Sequence, residues 1–171
     1  MTKTLLNTIT ITKVIKPSII EFLDRREYYN KALSLIKNAN NSIYLLMFVA
    51  KYDPRDPEDP ANDLLIAICR AKERGLTVKV VLDEETMKAY SETIELLREH
   101  NVSIKIWKGR ATMHAKILII DNKHVLIGSH NWTESGLWYN IEASIYTTDT
   151  EAVDEAKKLF EYVWMKASQV T

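Results

Sequence analysis

Met113-His114-Ala115-Lys116-Ile117-Leu118-Ile119-Ile120-Asp121, followed after a short turn by Val125-Leu126-Ile127-Gly128-Ser129-His130-Asn131, is the stretch that decides how this chain folds. Two apolar runs flank Asp121-Asn122-Lys123. They read as adjacent strands over residues 115–120 and 125–127, joined by a tight turn. Polar residues interrupt them at fixed spacing, H-x-K-x4-D-x6-G-S-x-N, and the chain holds one such run.

Outward from this pair the chain alternates between strand and helix patterns. Residues 9–14 alternate apolar and polar, and residues 19–23 form a second short strand candidate. Asp24 is placed to cap a helix running to about Asn38, with Ala32, Leu33, Leu35 and Ile36 on its buried stripe. Residues 42–49 are almost continuously apolar, as in a strand buried on both faces. Three prolines in residues 52–60 exclude a helix or strand interior and make that segment a stiff acidic loop. Asn62 or Asp63 then caps a helix ending at Arg74, with Gly75 as its C-terminal stop. A strand over 78–82 ends in Asp83. A helix near 91–100, strands over 102–107 and 141–146, and a final helix opened by Asp149 complete the pattern. This predicts an α/β fold: a mixed β-sheet with helices packed on both faces. Residues 1–171 read as one domain, with a core from about 19 to 164 and an N-terminal extension over 1–18.

Composition bounds the function. Lys plus Arg and Asp plus Glu both number 23, so no global field attracts a polyanion, and nucleic-acid binding would need a local patch. Cys69 is the single cysteine and sits in an apolar helical stretch, which excludes an intrachain disulfide. No run approaches the length of a membrane span. These features predict a soluble cytoplasmic protein with no membrane partner.

The polar positions suit an anion. In a strand, side chains alternate faces, so His114 and Lys116 point the same way. Lys116 supplies a point charge with three donors, and His114 a nucleophile or proton carrier that titrates near neutrality. Gly128 permits close backbone approach, and Ser129 and Asn131 offer neutral donors just past a strand end. Together they resemble a receptor for a tetrahedral phosphate. A metal site fits poorly: Lys116 stands where a ligand would be wanted, and there is no H-E-x-x-H or Cys/His cluster. No cofactor is expected.

These residues resemble the HKD signature of the phospholipase D superfamily. Met113-His114-Ala115-Lys116 and Gly128-Ser129-His130-Asn131-Trp132-Thr133 are similar in particular to its short, single-motif phosphodiesterase and nuclease branch. Arg74-Gly75, the strand ending in Asp83, and Asn140-Ile141-Glu142 extend the likeness over about residues 19–164. The loop at 52–60 is longer than usual. His130 stands where the family often has an aromatic or small residue, and its role is open.

The resemblance implies a phospholipase D-like fold and a metal-independent mechanism with two H-x-K motifs facing one phosphodiester. One His attacks phosphorus and forms a phosphohistidine; the other serves as acid, then base. With one motif per chain, the second comes from a C2 homodimer whose active site is shared between subunits. The implied catalytic set is His114, Lys116, Asp121 and Glu142, with Lys116, Ser129 and Asn131 holding the phosphate. Glu142 is expected in a buried strand position, accepting a hydrogen bond from one imidazole. Asp121 is expected to support the turn or a neighbouring cation.

For the substrate, Lys105, Lys108, Arg110, Lys116 and Lys123 surround the motif, with Trp107, Trp132, Trp138 and Tyr139 nearby. Basic residues with interleaved aromatics suit nucleic acid, so a nuclease is the leading reading; packing in the core is the competing role for Trp107 and Trp132. The alternatives are a lipid phosphodiesterase or transphosphatidylase of the phospholipase D type, and a nucleic-acid-binding module that cleaves little.

Overall fold

A computed structural model of the chain describes residues 17–170. The strand expected at residues 9–14 lies outside them. The described strands form one eight-stranded sheet in the order β1-β7-β6-β5-β2-β3-β4-β8. The strands are β1 (Ile20–Leu23), β2 (Ser42–Met47), β3 (Thr77–Asp83), β4 (Ser103–Trp107), β5 (Lys116–Ile120), β6 (His124–Gly128), β7 (Ser144–Thr147) and β8 (Ser168–Gln169). Three central strands, β2, β3 and β4, run parallel, and every other pairing is antiparallel. The sheet is therefore mixed, as the tight turn after Ile120 requires. There Lys123 N–H donates to the Ile120 carbonyl at 3.0 Å while Asp121 and Asn122 take φ of 54° and 51°. Two successive left-handed residues match the twist of a hairpin, and Asp and Asn tolerate them best after glycine.

The helices are α1 (Arg25–Asn38), α2 (Pro60–Glu73), α3 (Glu84–Ala89), α4 (Ser91–Glu99) and α5 (Thr150–Lys166), with a single π-helical turn at Ser135–Tyr139. On one side of the sheet α1, α2 and α4 bury Ile36, Leu64, Ile68 and Leu97 against Ile43, Leu45, Val80 and Leu118. On the other, α5 alone lays Val153, Ala156, Phe160 and Val163 over Leu46, Val81, Ile117, Ile119 and Val125. Alternation along each strand produces these two faces. Among the described residues no helix is long and apolar enough to cross a membrane.

Local signals set most boundaries. Asp24 caps α1 in a reciprocal box with Glu27, and Asp149 caps α5 by accepting from Ala152 N–H at 3.0 Å. Gly75, at φ +91°, follows the end of α2 in the left-handed conformation expected of it. The start of α2 differs from expectation. Asp59, not Asn62 or Asp63, is the cap, and Pro60 is the first helical residue, where its missing N–H costs nothing. Asn62 instead organises the acidic loop. Its amide accepts from Asp53 N–H and donates to the carbonyls of Asp53 and Asp56. Within that loop Lys51 pairs with Asp53 at 3.0 Å and holds its carboxyl down to about 2, with help from the Arg55 backbone N–H.

Candidate active site

β5 and β2 run antiparallel with Lys116 opposite Met47, so the start of β5 lies beside the end of β2. The next residue on β2's side, Phe48, becomes the floor between the two motif residues. Its ring centroid is 4.7 Å from that of His114 and 4.9 Å from Lys116 Nζ. Lys116 is buried at 5% exposure, and its ammonium donates to the His114 carbonyl at 2.9 Å. Burial lowers the Lys116 pKa below its ordinary value, and the carboxylate of Glu142 opposes that shift. His114 lies just before β5 and is exposed. The pair is an exposed imidazole backed by a desolvated cation, an arrangement whose ammonium gains most when an anion arrives.

The other walls are built from the chain just past β2 and β6. Two buried threonines clip the segment after β2. Thr86 Oγ1 donates to the Phe48 carbonyl at 3.0 Å and accepts from Ala50 N–H at 3.2 Å; Thr93 Oγ1 donates to the Ala50 carbonyl at 2.9 Å. Trp132 N–H donates to the Val49 carbonyl and Lys51 N–H to the Trp132 carbonyl, which draws Asn131 alongside Val49. Asn131 Oδ1 accepts from Val49 N–H at 3.3 Å. With its oxygen engaged, the amide keeps its NH2 group for a ligand.

Ser129 and Glu142 meet directly. The Ser129 hydroxyl donates to Glu142 Oε2 and accepts from Ala143 N–H at 3.0 Å, while Asn140 Nδ2 donates to Glu142 Oε1 at 3.1 Å. The expected roles change accordingly. Ser129 spends its proton on Glu142 rather than presenting it to a phosphate. Glu142 precedes β7 instead of lying within it, is half-buried, and within one chain is held by Ser129 and Asn140 rather than by an imidazole. Its neighbour Ile141, expected to be buried, is 99% exposed. Gly128 explains the close crossing. A Cβ there would overlap Ser144 Oγ and the Ala143 carbonyl and stand 2.5 Å from Ser144 Cα.

Asp121 is not at the site. It closes the far end of β5, roughly 16 Å from Lys116 by strand rise. Its carboxylate accepts backbone N–H bonds from Asn40 at 2.9 Å, Asn41 at 2.7 Å and Ser42 at 2.9 Å. Burial pushes its pKa up, but these bonds outweigh burial and the carboxyl lies below its ordinary value. Its grouping with the catalytic residues is corrected: it fixes the start of β2.

Two contributors escaped the sequence reading. Phe48 gave no signal beyond its place at the end of an apolar strand. Asp83 was visible as the polar end of β3. It is buried, and Oδ1 caps α3 while Oδ2 accepts from Met113 N–H at 2.8 Å, which fixes the backbone one residue before His114.

His130 now has a place. It is fully buried, stacks on Tyr28 with ring centroids 4.3 Å apart, and its Nδ1 bonds Ser144 Oγ at 2.7 Å. It supports the site from behind. Burial lowers its pKa, and burial likewise lowers that of His124. Both groups therefore bind fewer protons folded than unfolded. Their stabilisation is complete above the unfolded value near 6.5 and is lost as pH falls through the lower folded values. The thermal midpoint is expected to be level above pH 7 and to decline as pH falls below about 6.5; a curve that stays level on acidification would contradict these assignments.

A desolvated Lys116 beside an exposed His114 at the strand ends of a mixed sheet, with an aligned Asn and a gripped Glu, defines a phosphate-handling α/β domain of the phospholipase D type. The chain belongs to that superfamily: residues 32–164 match the family model described as cardiolipin synthase, PLD-like domain. Among curated proteins it is similar to the mitochondrial cardiolipin hydrolase of Xenopus tropicalis, 28% identical over 138 residues, covering 81% of this chain and 61% of that protein. The chain thus spans less than two thirds of that relative's length. Among solved structures its fold is similar to NucT from Helicobacter pylori, with a TM-score of 0.79, 23% identity and coverage of 90% of this chain and 100% of the other. It is also similar to the phospholipase D family member Nuc from Salmonella typhimurium, with a TM-score of 0.74, 20% identity and coverage of 90% and 97%.

Proposed function

We propose that the chain is a metal-independent phosphodiesterase that hydrolyses nucleic-acid phosphodiesters through a phosphohistidine, at a site completed by a second copy of itself. The observation that carries this reading is the exposed imidazole of His114 and the buried ammonium of Lys116 set against the same Phe48 ring, once per chain. In one chain the His114 ring makes no hydrogen bond to another described residue, so its nitrogens are free for chemistry.

The chemistry balances with two histidines. One His114 attacks phosphorus, forming a P–N bond as the P–O bond to the leaving group breaks. The partner's His114 gives its proton to the departing oxygen. That second imidazole, now neutral, takes a proton from water; the resulting hydroxide attacks phosphorus and the P–N bond breaks. Lys116 and the Asn131 amide hold the nonbridging oxygens and stabilise their charge in both transition states. Among the described residues no group of three or more His, Cys, Asp or Glu side chains is arranged to hold a metal ion.

Nucleic acid is favoured as substrate by Lys108 and Arg110, both exposed in the loop that leads into His114. The support is narrower than the sequence suggested. Lys105 is drawn away, donating to the Trp164 carbonyl at 2.7 Å, and Trp132 is wholly buried, with its indole N–H on the Tyr28 hydroxyl. Of the four aromatics, Tyr139 alone presents an exposed ring. A second reading, a phospholipid phosphodiester, is favoured by Ile141 and Tyr139 standing exposed next to Glu142, and by the name of the Xenopus relative. Incubation with single-stranded DNA, RNA and cardiolipin vesicles in excess EDTA tests both. Polynucleotide cleavage undiminished by chelator is expected; cleavage of lipid alone, or loss of activity with EDTA, would overturn the proposal.

A further inference from the structure

A groove on the helical side of the sheet lies apart from the candidate active site. α1 and α2 pack against each other and leave a cavity of about 280 Å³ between their outer faces. Helical spacing sets its walls. Tyr29, Leu33 and Lys37 recur every four residues on α1, and Asp63, Ala67, Arg70 and Arg74 every three or four on α2. The chemistry changes in order along the groove. At one end the Tyr29 hydroxyl donates to Asp63 Oδ2 at 2.6 Å, so these two polar groups satisfy each other. The middle is apolar, floored by the buried Ala67 and walled by the half-buried Leu33 and Ile66. At the other end stand three cations. Arg74 is anchored, its Nη2 donating to the Ile36 and Ala39 carbonyls at 3.1 and 3.3 Å. Lys37 and Arg70 are exposed and make no hydrogen bond or ion pair with another described residue. The helix dipole explains a cation in each last turn. It does not explain why the cations of two helices converge on one apolar cavity.

We propose that this groove binds a phosphate monoester carried on a small apolar body, with the phosphate among Lys37, Arg70 and Arg74 and the body over Leu33, Ile66 and Ala67. Charge selects the monoester. Among the described residues lining the cavity three cations face one acid, Asp63, an excess of two positive charges. A monoester is close to a dianion at neutral pH, whereas a diester carries a single charge. The planar fork of an arginine matches two phosphate oxygens, and a lysine adds a point charge. Volume limits the body. The cavity lies at the small end of ligand sites, which run from roughly 300 to 1,000 Å³, so it takes one flat ring or one short chain. The biological source of the ligand rests on the proposed hydrolysis: cutting any phosphodiester leaves a phosphate monoester, on a nucleoside or on a lipid. The groove therefore takes the class of compound that the active site releases. It does so at a distance, because Arg74 reaches the chain between α1 and β2, at the end of β2 away from Phe48.

NMR of the full chain titrated with hexyl phosphate, adenosine monophosphate and inorganic phosphate tests this. The signals of Tyr29, Leu33 and Ile66 are expected to move with hexyl phosphate, with the nucleotide or with both. Inorganic phosphate, which lacks the apolar body, should bind at least about tenfold more weakly. Methyl hexyl phosphate, a diester of one charge, should also bind about tenfold more weakly than hexyl phosphate. Lys37→Glu and Arg70→Glu lie at exposed positions, so both variants should keep the parental thermal midpoint while weakening binding at least about tenfold. His114→Ala should leave binding unchanged, which separates the groove from the catalytic phosphate site. A response to hexyl phosphate alone assigns the groove to lipid products, and a response to the nucleotide alone to nucleic-acid products; either supports the proposal. Unmoved signals at millimolar ligand, or binding undiminished by both charge reversals, would overturn it and leave phosphodiester cleavage by the parent as it was. Intact binding in a parent that cleaves no phosphodiester would overturn the proposed function instead, with the groove still a site for this ligand class.

Discussion

Replacing His114 with alanine is expected to reduce turnover about 10³-fold or more while leaving substrate affinity nearly unchanged. The substitution removes the group proposed to attack phosphorus and, in the partner, the group that protonates the leaving oxygen, so one change strikes both halves of the reaction. The buried ammonium of Lys116 and the amide of Asn131, the groups proposed to hold the charge of the phosphate, are untouched. The His114 side chain is exposed and makes no hydrogen bond within the described chain, so the variant should fold as stably as its parent. Single-turnover assays with binding measured separately make the distinction. Retained turnover would remove His114 from the chemistry.

Asp121→Ala is expected to do the opposite. It strips three backbone N–H groups, those of Asn40, Asn41 and Ser42, of one shared carboxylate. Asn40 and Asn41 are exposed and their N–H groups regain water, whereas Ser42 is buried, so the loss is about 2 kcal/mol, below the full desolvation cost of three buried groups. That lowers the thermal midpoint by roughly 4–8 °C in a chain of this size. Activity per folded molecule should be little altered, because the hairpin end is remote from His114. A large fall in turnover at parental stability would return Asp121 to the catalytic set.

The contrast between these two residues shows what the sequence could and could not convey. The strands were legible because periodicity is a local property. β2 and β5 are buried on both faces and read as nearly unbroken apolar runs, β3 reads so but for Lys79, and Asp24 and Asp149 announced their helices by capping chemistry. His114, Lys116 and Asn131 were legible because polar side chains interrupting such a run need a reason. What failed depended on chain segments distant in sequence. Asp121 carries the spacing of the motif, yet its partners lie about eighty residues earlier, at the start of β2. Glu142 looked like a strand residue because its neighbours are apolar, but the pinch at Gly128 brings Ala143 and Ser144 against β6 and leaves Ile141 in the open. Phe48 became part of the site only through the register of β2 on β5. The short helix α3 was hidden because Asp83 serves at once as the end of a strand, a helix cap and a latch on Met113.

The decisive quantity is how activity scales when parent and His114→Ala chains are mixed and allowed to exchange. If each site needs a histidine from both copies, only parent–parent dimers cut; their share of all dimers follows the square of the parent fraction, and their number at fixed parent falls in proportion to that fraction. A tenfold excess of the variant over a fixed amount of parent chain should then reduce activity to roughly one tenth. Activity that stays constant under that excess, with exchange verified by mass, would show that a single copy carries the whole reaction.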